Sequence, residues 1–176
     1  MLQTDDEFKN KAIEKIAEEM CLAARTAPKG RGEDLLEIAI VKGETIKKIS
    51  DKMLKIGEKE NHPTFIRDGD SVLRASAMVL IGTRCRYIGL RYCGFCGFKN
   101  CAEAEKNKAM CAFNTGDLGI AIGSAVSIAM EHRVDNRIMY SVGKAVLEMG
   151  LLGTEVMVAY GIPLSATGKN PFFDRK

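Results

Sequence analysis

The feature that most constrains this chain is a group of four cysteines between residues 93 and 111. Their spacing is Cys93-x2-Cys96-x4-Cys101-x9-Cys111, and a glycine directly follows each of the first two. Thiols at this density either pair as disulfides or hold a metal, and the redox compartment decides between the two outcomes. The rest of the chain must therefore indicate which compartment is relevant.

The composition favours a reducing compartment. The N-terminal sequence MLQTDDEFKN is acidic and polar, so we expect no signal peptide. No run of about 18 apolar residues occurs, so we expect no membrane span. A cytoplasmic location follows as an expectation, and clustered cysteines there bind metal more often than they form disulfides. The net charge of +3 over 176 residues is too small to indicate a nucleic-acid partner.

Hydrophobic periodicity predicts helices and strands that alternate within one domain, 1–176. Predicted helices cover 5–26, 44–59, a short segment at 68–73, 100–110, 115–133, and a segment from 135 or 136 to 149. Predicted strands cover 35–41, 75–82 and 154–160, and residues 161–176 read as a loop. The strand at 75–82 is almost wholly apolar, so we expect it to be central and covered on both faces. The class is α/β or α+β, with helices around a small sheet.

The helix at 115–133 is apolar on nearly all sides, which predicts a place in the core or at an oligomer interface. Gly119, Gly123 and Ser127 form a stripe of small residues at four-residue spacing. Such a stripe would allow the backbone of another helix to come close.

Zinc and an iron–sulfur cluster compete for the cysteine segment, which we place in an insert at 84–112. Zinc sites usually pair two Cys-x2-Cys-like hooks, often with His, and here only the first cysteine pair has that form. A [4Fe–4S] cluster takes four thiolates at separate iron corners, which suits spacings of two and four within one loop. The spacing favours a cluster, with zinc as the alternative metal. The expected ligands are Cys93, Cys96, Cys101 and Cys111.

The surroundings of the cysteines agree with a cluster. Gly94 and Gly97 would let backbone N–H groups approach the sulfur atoms, although glycines also occur in zinc knuckles. A helix from Asn100, as its N-cap, to Met110 would place Cys111 at its far end. The negative charge of a cluster would be offset by four nearby cations: Arg84, Arg86, Arg91 and Lys99. Cys21 and Cys85 are expected to act as small core residues, with a redox or extra-ligand role for Cys85 as the alternative.

The segment CGFCGFKNC at 93–101 resembles the [4Fe–4S] motif of corrinoid iron–sulfur proteins and of electron-transport subunits from anaerobes. In those families the fourth cysteine lies further along the chain than it does here. Over nearly its whole length the chain also resembles a family of bacterial and archaeal proteins described as containing a ferredoxin domain. That resemblance covers AARTAPKGRG at 23–32, the cysteine segment with CAFN at 111–114, GIPLS at 161–165 and GKN at 168–170. It implies a cluster but names no reaction.

The order of elements is similar to the flavin-dependent nitroreductases, through the basic loop at 27–32, the helix that begins near Asp117, and the late Gly-Ile-Pro. This resemblance implies a three-layer α+β fold and a homodimer with FMN at its interface. The arginine-rich motif that holds the flavin phosphate in that family is absent before the first helix. Arg25, Lys29 and Arg31 could replace it, with Lys169 or Arg175 as further candidates, although such loops are often solvated turns.

Three functions follow as hypotheses. The first is an iron–sulfur redox protein of anaerobic-type metabolism, exchanging electrons with a partner protein or a small molecule. The second is an FMN-dependent oxidoreductase, and the third is an interaction module that zinc holds together without catalysis. His62 and His132 have no partner motif, so we expect no acid–base pair and place both on the surface. Phe172 and Phe173 would anchor the C-terminal tail, on this chain or on a partner.

Overall fold

A four-stranded antiparallel sheet, in the order β1-β2-β4-β3, lies between two layers of helices in the computed structural model, which describes residues 2–173. The strands are β1 Leu36–Val41, β2 Ala77–Arg84, β3 Asp135–Asn136 and β4 Val156–Ser165. The helices are α1 Asp5–Thr26, α2 Glu44–Lys59, α3 Pro63–Val72, α4 Cys101–Lys106, α5 Ala112–Glu131 and α6 Tyr140–Met149, with a short 3-10 turn at Gly30–Gly32. The expected three-layer α+β fold is confirmed.

Strand β2 is the centre of the sheet, as its apolar sequence predicts. It pairs with β1 on one side and with β4 on the other, and its residues 77–83 are all buried. Because successive strand side chains point to opposite faces, Val79 and Ile81 join one core while Met78 and Leu80 join the other. Two separate hydrophobic cores therefore share this one strand.

Each core has its own helical layer. Helices α1 and α5 cover one face of the sheet, and α2, α3 and α6 cover the other. Helix α1 begins with a capping box, in which the Thr4 and Glu7 side chains each accept a hydrogen bond from the other residue's backbone N–H. Helix α6 packs so tightly on β4 that a Cβ atom at Gly143 would collide with the carbonyl group of Ala159.

Tertiary contacts correct several predicted boundaries. Helix α3 begins at Pro63 rather than near residue 68, because proline at the first helical position lacks only an N–H that would have no partner there. Residues 135 and 136 do not cap α6 but form β3, which pairs with Leu164 and Ser165. Strand β2 and helix α5 are displaced from their predicted spans, 75–82 and 115–133, by two to three residues at each end.

The predicted C-terminal loop begins too early, because β4 continues through residues 161–165. The backbone of Gly161 forms two hydrogen bonds with Met139, on the side of the strand away from β2. Pro163 lies two residues further, so its missing N–H faces that same side and leaves the pairing with β2 intact. Among the described residues, no helix combines the length and apolar character needed to cross a membrane.

Candidate functional site

The four predicted metal ligands line one cavity. Residues 85–100 follow β2 without forming a helix or strand, and the cavity lies between this segment and the starts of α4 and α5. Its open space is about 480 Å³. Cys93, Cys96 and Cys101 are half-buried and Cys111 is buried. Tertiary structure thus brings the buried fourth cysteine to the three that are close in sequence.

Glycine is required at two turns between the ligands. Gly94 has φ of 85° and Gly97 has φ of 84°, in the left-handed region that other residues rarely adopt. The N–H of Gly97 donates to the carbonyl of Gly94 at 2.9 Å and closes a tight turn after Cys93. These conformations turn the backbone around the cavity, as the sequence predicted for a sulfur-binding loop.

Helix α4 is shorter than predicted, which explains how Cys111 reaches the cavity. Its N-cap is Asn100, as expected, and the Asn100 Oδ1 atom accepts from the Glu103 N–H at 2.9 Å. The helix ends at Lys106 instead of Met110, because Lys108 adopts φ of 51° and reverses the chain. The chain therefore turns back toward the cavity within five residues of the helix end.

Tyr87 holds this reversal in place, a role that no local sequence pattern predicts. Its hydroxyl donates to the carbonyl of Ala109 at 2.9 Å and lies 3.4 Å from the carbonyl of Ala104. The Cys85 thiol contacts the same Ala109 oxygen at 3.8 Å. Desolvation and the nearby Cys85 raise the pKa of Tyr87, so its hydroxyl stays protonated and can donate. Cys85 does not line the cavity, and it acts here through Ala109.

Two of the four expected cations lie at the cavity. Arg91 and Lys99 belong to its lining. Arg84 is directed elsewhere, with contacts to Glu37 at 3.4 Å and Glu155 at 3.9 Å. Arg86 pairs with Glu33 at 3.5 Å, also outside the cavity. The cavity is therefore cationic on one part of its rim only.

The lining of the cavity combines the four cysteines with few other ligand groups. Within residues 2–173, no three His, Cys, Asp or Glu side chains form a group that could hold a metal ion. The four cysteines line a common space. Three residues after Cys111, the Asn114 Nδ2 atom is buried without a hydrogen-bond partner among the described residues, while its Oδ1 accepts from the Arg86 N–H at 2.8 Å. A buried donor left open in this way calls for an acceptor.

A second cavity adjoins the first. It lies between the basic loop and the start of α5, has about 780 Å³ of open space, and shares Ala112 and Phe113 with the cysteine cavity. Phe113 stacks on Phe95 with ring centroids 6.0 Å apart and planes at 18°. Aromatic side chains thus lie between the cysteines and the basic loop.

The three basic residues expected at a flavin phosphate are engaged within the chain. Lys29 Nζ donates to the carbonyls of Ala24, Arg25 and Ala27 at 2.6 to 3.2 Å, and so caps the C-terminus of α1. Arg25 Nη1 binds Asp34 at 2.7 Å and the carbonyl of Leu36 at 3.0 Å. Arg31 Nη1 donates to the carbonyl of Ile88 at 2.9 Å. These contacts fix the loop, and only Lys29 of the three lines the second cavity.

One amide of the loop, that of Gly30, already binds a carboxylate of this chain. The N–H of Gly30 donates to both carboxylate oxygens of Asp117, at 3.0 and 3.1 Å. The negative charge of this carboxylate would repel a phosphate bound at Gly30. Of the other candidates, Lys169 lies in the tail after β4, and Arg175 lies outside the described residues.

The two histidines, Cys21 and Phe172 have places in the fold that require no ligand. His132 lies 3.3 Å from the Glu19 carboxylate, and His62 lies 3.4 Å from the Tyr140 hydroxyl. Burial raises the pKa of Cys21 to about 11, so its thiol stays protonated near neutral pH. Phe172 is buried in the core of its own chain, where Arg137 donates to its carbonyl at 2.7 Å. The tail is therefore anchored on this chain.

Solved structures of flavoproteins share the fold. A nitroreductase with bound FMN from Desulfitobacterium hafniense superimposes with a TM-score of 0.59 at 14% identity, covering 96% of this chain and 81% of that one. A BluB-like flavoprotein from Clostridium difficile gives 0.57 at 16% identity, covering 96% and 86%. At these identities the likeness shows the fold alone, and the nitroreductase-like scaffold expected from the sequence is confirmed.

Sequence comparisons identify the family. The model for a family described as "Uncharacterized protein containing a ferredoxin domain (DUF2148)" matches residues 107–175. An uncharacterized protein of Archaeoglobus fulgidus is 42% identical over 184 residues, which covers 99% of this chain and 98% of the relative. The family model thus covers the C-terminal part of the chain, and the relative matches nearly all of it. The chain belongs to this family of ferredoxin-domain proteins.

Proposed function

We propose that the chain is an iron–sulfur redox protein carrying one [4Fe–4S] cluster on Cys93, Cys96, Cys101 and Cys111. The observation that carries the proposal is that these four cysteines, and neither of the other two, line a single cavity. The ferredoxin-domain description of the family supports it. Residues 84–112 then form a cluster-binding insert within one domain, 1–176, and a cytoplasmic location agrees with reduced thiols.

Each part of the lining has a role toward such a cluster, which when bound would accept and release one electron. The left-handed turns at Gly94 and Gly97 would let neighbouring backbone N–H groups approach the thiolates, and hydrogen bonds to sulfur help to set a reduction potential. Arg91 and Lys99, which line the cavity, would offset the negative charge of the cluster. Electrons would pass to a redox partner protein or a small molecule, either as simple transfer or as cluster-linked oxidoreduction.

The test is metal and sulfide analysis of anaerobically purified protein. We expect a brown protein with broad absorbance near ~400 nm and about four irons and four sulfides per chain. Cys96→Ser should abolish this loading, whereas Cys21→Ser and Cys85→Ser are matched thiol controls that should keep it. A colourless protein with one zinc that depends on the same four cysteines would contradict the proposal and favour the zinc-stapled interaction module.

A second candidate function is an FMN-dependent oxidoreductase, favoured by the cavity that adjoins the cysteines. Phe95, Phe113 and Ile120 give it apolar walls suited to a flat ring. The phosphate fits less well, because Asp117 already accepts from Gly30, and Lys29 already caps α1. A bound FMN would have to displace these contacts or find cations outside the chain.

FMN binding can be tested separately from the cluster. If flavin binds here, titrating FMN into the purified protein should quench flavin fluorescence. Phe113→Ala should weaken that binding, and Phe173→Ala, in the tail, is the matched control. Unchanged fluorescence at saturating protein would exclude the flavin function while leaving the cluster proposal intact.

We further propose a homodimer that forms through α5. One face of α5 is exposed and apolar or small, at Gly116, Gly119, Ile120, Gly123, Ser127 and Met130. Ile120 is 48% exposed and Met130 is 65% exposed, which is unusual for apolar residues on so apolar a helix. Light scattering should give twice the chain mass, and Gly123→Glu should shift it toward the monomer. A wild-type monomer at micromolar concentration would contradict the dimer.

A further inference from the structure

A basic groove lies on the face of the sheet opposite α1 and α5. It runs between α2 and α6, includes the turn before α3, and has about 1160 Å³ of open space. Four lysines and two glutamates give its lining a formal charge of +2 with His62 neutral. This charge is a large part of the net +3 of the whole chain, and it is concentrated at one place.

The two carboxylates of the groove are already neutralised. Glu148 pairs with Lys52 at 2.8 Å, and Glu60 pairs with Lys59 at 3.0 Å. The hydrogen bond from Lys52 is the main cause that lowers the pKa of Glu148, so this carboxylate stays charged and paired. The surplus charge of the groove therefore comes from its other two lysines.

Lys55 and Lys144 carry that surplus. Both are exposed, and within residues 2–173 neither forms an ion pair with a carboxylate. They project from α2 and α6, on the two sides of the groove. An anion placed between them would meet two cations without breaking an existing ion pair.

Aromatic rings form the other part of the groove. Phe65 is buried and contacts the rings of His62 and Tyr140 edge-on, with centroids 5.3 and 5.8 Å away. The Tyr140 hydroxyl also lies 3.4 Å from His62 Nε2. These contacts fix the Tyr140 ring, which is 45% exposed and can therefore stack against a ligand.

We propose that this groove binds a nucleotide, with its phosphates between Lys55 and Lys144 and its base against Tyr140. The cations recognise the phosphates, and the fixed aromatic ring recognises the flat base. Neither part of the groove would select such a ligand alone. The site shares no residue with the cysteine cavity or with the second cavity, so it stands or falls independently of the cluster.

The experiment is calorimetric titration of the purified full chain with ADP, and separately with adenosine and with pyrophosphate. ADP should bind more tightly than either part. Lys55→Glu with Lys144→Glu should weaken ADP binding by about tenfold or more, since each exposed ion contact accounts for roughly 1.4- to 5-fold and reversal adds repulsion. Lys47→Glu with Lys48→Glu is the matched control, because it makes the same charge change on exposed residues of α2 outside the groove.

Three outcomes would overturn the proposal. The first is no ADP binding at millimolar concentration, and the second is equal weakening by the groove and control variants. The third is pyrophosphate binding as tight as ADP binding, which would leave an anion site without base recognition. Circular dichroism of both double variants checks that a loss of binding is not a loss of folding.

Discussion

Strand β2 and the segment that follows it, residues 85–111, are held in opposite ways. Residues 77–83 of β2 are buried and hydrogen-bonded to strands on both sides. In the following segment Tyr92 is 98% exposed and Phe95 is 79% exposed, and a few bonds from Tyr87, Arg31 and Arg86 tie the backbone down. Apolar burial stabilises the core. The cysteine segment buries little apolar surface, so a bound metal cluster would add to its stability.

The largest effect should come from truncating the core strand. Ile81→Ala removes a side chain that is fully buried in β2, and we expect the free energy of unfolding to fall by about 2–5 kcal/mol. Tyr92→Ala, in the exposed segment, should change it by no more than about 0.5 kcal/mol. Urea unfolding of both variants checks this contrast, and equal losses would show that the segment belongs to the core.

Removing the proposed cluster should loosen the cysteine segment and leave β2 unchanged. If the cluster is present, chelation of its iron should speed amide hydrogen exchange in residues 86–110 by about tenfold or more, because few other contacts order that backbone. Exchange in β2 should stay unchanged. Mass spectrometry of peptides from both regions gives the measurement, and loss of protection in β2 would contradict the separation of the two regions.

Tyr87→Phe tests a contact within the cysteine segment, between its start and the residues that lead to Cys111. The ring remains, but the hydrogen bond of the hydroxyl to Ala109 and its longer contact with Ala104 are lost, at about 0.5–1.5 kcal/mol in total. We expect iron to leave about three- to tenfold faster, first from the corner held by Cys111, which gives a three-iron cluster visible by electron paramagnetic resonance.

Tyr92→Phe is the matched control, because its exposed hydroxyl makes no such bonds. If the wild-type protein holds a cluster and Tyr87→Phe loses iron at the wild-type rate, Tyr87 does not position Cys111. Absence of a cluster from the wild type would instead contradict the proposed function.

The smallest effect concerns the ion pair between Arg25, at the end of α1, and Asp34, just before β1. Burial opposes ionisation of Asp34, but hydrogen bonds from Arg25 and from the Leu36 N–H outweigh it, so the pKa of Asp34 is lowered. A lowered pKa stabilises the fold above the unfolded-state value of about 3.9, and this contribution is lost as pH falls through the folded-state pKa.

Asp34→Asn should therefore cost less than about 1 kcal/mol at pH 7, because the ion pair is partly exposed, and the difference from wild type should vanish in acid. Thermal unfolding between pH 7 and pH 3 provides the measurement. Asp70→Asn, at an exposed aspartate of α3, should show no such trend, and a difference that grows in acid would contradict the assignment.

Local patterns in the sequence predicted a large part of this molecule. The bounds of α1 and α2 follow from apolar spacing and from their breakers, and the centre of the sheet follows from the apolar run in β2. The end of α6 at Gly150, in a left-handed conformation, follows from glycine chemistry. The boundaries that were wrong depend on partners distant in the chain, such as β3, which exists because Leu164 and Ser165 lie beside it.

The same division holds at the candidate site. By itself the sequence determined the candidate ligands and the glycine turns between them, because ligand spacing and left-handed turns are local properties of the chain. Tertiary structure alone decided that Cys111 reaches the other three, that Arg84 and Arg86 turn away from them, and that Tyr87 closes the return of the chain. It also decided that the Asp117 carboxylate accepts from the Gly30 N–H of the basic loop. These outcomes depend on distances between residues far apart in sequence, and only packing of the two cores against one sheet sets those distances.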